Sequence, residues 1–221
     1  MRKGEQKRQE ILDAAEALFF HRGYEETSVQ DILDVLRCSK GSFYHHFDSK
    51  LDLLKNIASH HANISRQEFS LMEPKDPTEA LRRLLYHAGL FRKEEIGLLR
   101  NIRSLQNKQE GPVLLDALQK ASNREFFTEF SNVLNELKRL DLASFSGEQT
   151  LNVSFHSLLS GCALILEETA ALRKEDAIAR GILLLRAMRS QIEASLGLRA
   201  GSAVITETSE LAEILKMLSG Q

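Results

Sequence analysis

Only three prolines, Pro74, Pro77 and Pro112, fall in the 221 residues of the chain. Proline ends or kinks a helix and marks irregular chain, so this spacing leaves room for long, unbroken helices. Between those points Leu, Ala, Glu, Lys, Gln and Arg dominate, residues that lose little side-chain freedom on entering a helix. Apolar residues recur at helical intervals, as Ile11, Ala15, Leu18 and Phe19 do in the first such stretch. The expected fold class is all-α, and the 43% hydrophobic content suffices for a substantial core.

The first helix is expected from about Glu5 to His21, ended by Gly23 in a left-handed turn. "TSVQ" from Thr27 reads as a capping box between Thr27 and Gln30, opening a short helix with Val29, Ile32, Leu33 and Leu36 inward. Three residues later Ser39 is a plausible N-cap for a second short helix. Phe43 and Phe47, four apart, share its inner face, while Lys40 and Tyr44 point away. Ser49 and Asp52 launch a longer helix. The clearest linker is "MEPKDPTEA", Met72 to Ala80, where Asp76 and Pro77 start another helix. Further helices are expected at 77–91, 94–106, 112–140, about 146–170 and about 176–196, with a short one at 207–219. Two domains are expected, residues 1–60 and residues 61–221.

Two cysteines, Cys38 and Cys162, with no CxxC spacing suggest neither a disulfide framework nor a zinc ribbon. The charged opening lacks an apolar segment behind it, and the greasiest run, Ser157 to Leu166, is shorter than a membrane span of ~18–20 residues. The expectation is a cytoplasmic protein that does not enter a membrane. His45 and His46, like His60 and His61, are adjacent and diverge by about 100° on a helix, so no metal site is expected. Catalytic signatures such as GxSxG, HExxH, a P-loop or GxGxxG are absent, no cofactor is implied, and an enzyme is the weaker reading.

Net charge is −2, which gives no global attraction to nucleic acid. Arg37, Lys40 and Lys50, however, lie in or beside a stretch with no acid between Asp34 and Asp48, a local basic window. Within it lies "SKGSFYHHFDSK", Ser39 to Lys50. Two short helices separated by three residues, the second exposing small, cationic and aromatic side chains, have the shape of a helix-turn-helix. Gly41 and Ser42 permit close approach to a sugar-phosphate backbone and base edges. Ser39, Lys40, Ser42, Tyr44, His45 and His46 supply hydrogen-bonding groups, and Thr27, Ser28 and Lys50 are candidate phosphate clamps.

The segment Ile11 to Leu54, with its AA..LF...GY..TS spacing, its SKGSFYHHF core and its trailing SK..LL, resembles the DNA-binding region of the tetracycline-repressor (TetR) family. The resemblance covers about a fifth of the chain. It implies a homodimer that presents one helix-turn-helix per subunit to a double-stranded DNA operator. It also implies a larger helical domain that binds a small-molecule effector and thereby changes operator affinity. The family usually places glycine and a small aliphatic residue in the turn, where this chain has Arg37 and Cys38. A non-glycine residue in left-handed conformation costs roughly 1 kcal/mol, which Arg37 would offset by reaching phosphate.

For the dimer interface the apolar stripe Leu151, Phe155, Leu158, Cys162 and Ile165, together with Ile182, Leu185 and Ile192, is the candidate, as a four-helix contact across a two-fold axis. Tyr86, His87, Phe91, Phe127, Phe130 and His156 are the large or polar-tipped groups available to an effector pocket, which would suit an apolar or amphiphilic ligand. Control by a protein partner in place of a small molecule is the alternative.

Overall fold

The computed structural model describes residues 3–219. Its helices are α1 (Lys3–Arg22), α2 (Val29–Leu36), α3 (Lys40–Tyr44), α4 (Lys50–Ser70), α5 (Pro77–Ala88), α6 (Ile96–Leu105), α7 (Glu110–Arg139), α8 (Glu148–Thr169), α9 (Lys174–Leu196) and α10 (Thr208–Leu218), with a 3-10 turn at Lys93–Glu95. The described residues contain no strand, and none of their helices is long and apolar enough to cross a membrane. Pro77 and Pro112 both sit in the first turn of a helix, where a missing amide hydrogen costs nothing.

The chain forms two compact units. The first runs through His61 and also takes in Gly97–Leu118; the second comprises Ala62–Ile96 and the chain from Gln119 onward. A single cut at residue 60 therefore misassigns Gly97–Leu118. Long-range polar contacts explain why: Asn101 on α6 accepts the Tyr24 amide at 3.1 Å, and Lys108 pairs with Glu25. No local sequence signal announces those partners.

In the first unit α1 buries Ile11, Leu12, Ala15 and Phe19 with Ile32 and Leu33 of α2, Phe43 and Phe47, and Leu53, Leu54, Ile57 and Ala58 of α4. In the second, Phe127, Phe130 and Phe155 cluster with ring centroids 5.1–6.5 Å apart. Helices α8 and α9 run antiparallel in a constant register: Ser154 meets Ser195 at 2.8 Å, Gly161 lies against Met188, and Glu168 pairs with Arg180 at 2.7 Å. A Cβ on Gly161 would fall 2.0 Å from the Met188 sulfur, so glycine sets how closely these helices approach. Helix α10 covers α9 through Leu215, packed on Gly181. Burial pushes the Cys162 thiol up to about 11, leaving it neutral in this core.

Candidate nucleic-acid interface

The helix-turn-helix is built from caps. Ser28, one residue later than the sequence pattern suggests, is the N-cap of α2, and its partner is Asp31: the Ser28 hydroxyl accepts the Asp31 amide at 3.1 Å, and the Asp31 carboxylate accepts the Ser28 amide at 2.7 Å. Thr27 is displaced from that role because its hydroxyl donates to the Gly23 carbonyl at 2.8 Å and the residue is wholly buried. Arg37 ends α2 in left-handed conformation, φ 49° and ψ 43°, with the Cys38 amide closing onto the Leu33 carbonyl at 3.1 Å. The geometry usual for glycine is thus kept with an arginine in it. Ser39 caps α3, accepting the Ser42 amide at 3.3 Å.

This frame fixes the two faces of α3. Phe43 and Phe47 are buried, whereas Arg37, Ser39, Lys40, Gly41, Tyr44 and His45 are exposed, Tyr44 to 55%. Ser42 and His46 are half-buried. A Cβ on Gly41 would meet nothing closer than the Ser39 hydroxyl at 3.8 Å, so nothing inside the chain requires glycine there. His45 and His46 stack edge to face at 4.9 Å. Desolvation, with the neighbouring His45, Arg8 and Lys7 charges adding to it, holds the His46 pKa below the ordinary histidine value. Lys7 and Arg8 of α1 therefore border the same surface, a contribution the local sequence pattern missed. Arg8 packs over the Phe47 ring at 5.1 Å and donates to Asn56, and Lys7 pairs with Glu10 at 2.9 Å.

Three sequence-derived contacts are turned elsewhere. Thr27 is sealed in the core. Ser28 has both its amide and its hydroxyl engaged by Asp31, whose negative charge would itself repel a phosphate. Lys50 donates to the Tyr24 and Thr27 carbonyls at 2.8 and 2.9 Å and lies 4.1 Å from the Tyr24 ring centroid. Burial draws its pKa below the ordinary lysine value. Lys50 thus clamps the α1–α2 loop through its ammonium.

Residues 11–57 match the model of the bacterial regulatory proteins of the tetR family. This segment is a TetR-family DNA-binding region. Its TetR-family segment is 47% identical over 51 residues to the HTH-type transcriptional repressor KstR2 of Rhodococcus jostii, an alignment covering 23% of this chain and 25% of that protein. It is 34% identical over 88 residues to the HTH-type transcriptional regulator AcrR of Shigella flexneri, covering 38% and 41%. The chain thus spans less than half the length of these curated relatives. A crystal structure of a TetR-family transcriptional regulator from Pectobacterium atrosepticum aligns over 89% of this chain and 97% of its own, with a TM-score of 0.61 at 19% identity, a likeness of fold.

Beyond the TetR-family domain two expectations need correction. Leu151, Phe155, Leu158, Cys162, Ile165, Leu185 and Ile192 are buried within their own chain, at most 3% exposed, and so cannot meet a partner; Ile182 is half-buried. These side chains form the stripe by which α8 and α9 hold their own core. The apolar groups left outside are Val153, Leu164 and Leu183, 64%, 43% and 57% exposed. Of the effector candidates, Tyr86 and His87 line a pocket of about 250 Å³ bounded also by Met72, Arg82, Arg83, Val204, Thr206, Glu207 and Glu210. Phe91 and Phe130 are sealed in the core, Phe127 belongs to the aromatic cluster, and His156 is exposed. Tyr86 and Glu210, joined by a 2.9 Å hydrogen bond, are 124 residues apart, a pairing invisible to periodicity.

Proposed function

We propose that the protein is a sequence-specific DNA-binding transcriptional regulator of the cytoplasm, a homodimeric repressor released from its operator by a small molecule. The observation that carries this reading is Gly41: an exposed helical glycine with open space around it gives up helix stability with no internal return, which makes sense where a duplex must come close. Lys40, Tyr44 and His45 flank it on the exposed face, with Arg37 preceding it in the turn. Helix α4 belongs to both compact units, which gives effector binding a continuous covalent path to the reading head. The dimer contact falls to the outer sides of α8 and α9, where the antiparallel register sets Leu164 and Leu183 at one level. Fluorescence anisotropy with duplexes from the gene's own upstream region is the direct test. Nanomolar binding, with log affinity falling linearly in log salt, is expected, and Lys40→Ala should reduce that slope by about one phosphate's worth. If no such fragment is bound at low salt, the reading fails.

A further inference from the structure

The pocket between α5 and the segment 204–210 contains a buried imidazole, that of His87, with one ring nitrogen for which the described residues provide no partner. His87 is 6% exposed, with its ring against Tyr86 and Phe69 at centroid distances of 5.5 and 6.2 Å. Its Nδ1 lies 3.2 Å from the Ser65 hydroxyl and 3.8 Å from the Glu68 carboxylate. Ser65 has one proton, and it goes to the His87 carbonyl at 2.8 Å, so toward Nδ1 the Ser65 oxygen can only accept. Glu68, a carboxylate, can only accept as well. Nδ1 therefore carries the hydrogen of the neutral ring, and Nε2 presents a bare lone pair with no protein donor among the described residues.

Tyr86, Thr206, Glu210 and Arg83 of the wall already have partners. Tyr86 donates its hydroxyl to Glu210 at 2.9 Å, Thr206 donates to the same carboxylate at 3.4 Å, and Arg83 holds Glu79 at 2.6 Å. Arg82 and Glu207 are exposed. The two arginines and two glutamates of the lining balance in charge, and the remaining wall is Met72, Val204 and the Tyr86 ring. An acceptor group on a ligand meets only the exposed, solvated Arg82 guanidinium, whereas a donor meets the buried Nε2 of His87.

We propose that this pocket binds a neutral, largely apolar molecule of one or two rings bearing a single hydrogen-bond donor, an aromatic N–H or phenolic O–H, which is given to His87 Nε2. The volume, below the ~300–1,000 Å³ of ordinary ligand sites, sets the size. The inference deepens the effector part of the proposed function and rests on it only in calling the occupant an effector.

Isothermal calorimetry on the full chain at neutral pH, with indole and 2-naphthol against 1-methylindole and 2-methoxynaphthalene, tests the donor requirement. One-to-one binding of at least one donor probe is expected, weakened about tenfold or more by methylation. Val204→Trp, or Met72→Trp should the first fail to fold, fills the pocket and should abolish binding. Long-range 1H–15N correlation of the imidazole should report the Nδ1–H form. No binding by either donor, equal binding by the methylated partners, or binding that survives both tryptophans would each overturn the proposal. Operator binding by the wild-type chain without any probe is measured separately: its loss sinks the regulator reading and leaves the pocket standing, and the reverse result does the opposite.

Discussion

Three residues of the reading head separate what holds the fold from what faces outward. Arg37 stands at φ 49°, where a side chain costs roughly 1 kcal/mol. Arg37→Gly should therefore raise unfolding stability by up to about 1 kcal/mol in urea titration, and if the guanidinium touches phosphate, operator affinity should fall with a shallower salt slope. Gly41 makes the opposite trade. Gly41→Ala should stabilise the chain by up to about 1 kcal/mol and weaken operator binding, because the added methyl group lies on the exposed face. An alanine variant that binds DNA as tightly as the parent would remove the main support for the interface. Lys50 is the structural counterpart: with its ammonium on two backbone carbonyls, Lys50→Ala should cost about 2 kcal/mol of stability yet leave the salt slope unaltered, in contrast with Lys40→Ala.

At the scale of elements, α8 and α9 show what an apolar stripe can and cannot say. Periodicity finds Leu151, Phe155, Leu158 and Leu185 correctly as one set, but it does not say whether that set meets its own core or another subunit. The choice is made by neighbours far away in sequence, here Phe127 and Phe130 around Phe155. Leu185→Ala should accordingly cost about 2–5 kcal/mol in denaturant unfolding, as a buried truncation does. Leu183→Arg, two residues earlier on the outer side, should leave the fold intact and convert a dimer to a monomer by light scattering. A variant that stays dimeric would place the interface elsewhere. The same distinction governs legibility in the rest of the chain. Helices, most of their bounds, and the inward Phe43 and Phe47 follow from local spacing and caps. The cap of α2 falls one residue later than the pattern suggests because Thr27 and Ser28 are chemically alike and only burial tells them apart. The docking of Gly97–Leu118 with the first unit, the Lys50 clamp and the Tyr86–Glu210 wall depend on contacts across 23 to 124 residues, for which periodicity carries no information.

At the scale of the whole molecule, a net charge of −2 means that the proposed DNA attraction must come from a local surface, and the response of stability to pH likewise comes from a few placed groups. His87 is the most informative of them. Burial first, and then the Arg92 charge, hold its pKa below the ordinary value of 6.5, outweighing Glu68 and Glu94, which act the other way; Arg83 adds to the depression. The unfolded chain, with a histidine near 6.5, takes up this proton before the folded chain does. Above pH 6.5 both states are neutral at this site and its stabilisation is complete. As pH falls from 6.5 toward the depressed folded value, the unfolded state binds more protons, and stability drops by at most ~1.4 kcal/mol per pH unit before levelling off. Glu16, Asp31 and Glu79, whose folded pKa values are lowered, contribute stability that is lost only in the more acidic carboxylate range, so the histidine window stands apart from theirs. Urea unfolding of the wild type between pH 7 and 5 should show this decline, and His87→Gln, which cannot titrate, should flatten it whatever its absolute stability. Equal slopes in the two proteins would mean that His87 is not held neutral in the fold, and with that the lone pair offered to the pocket would be gone.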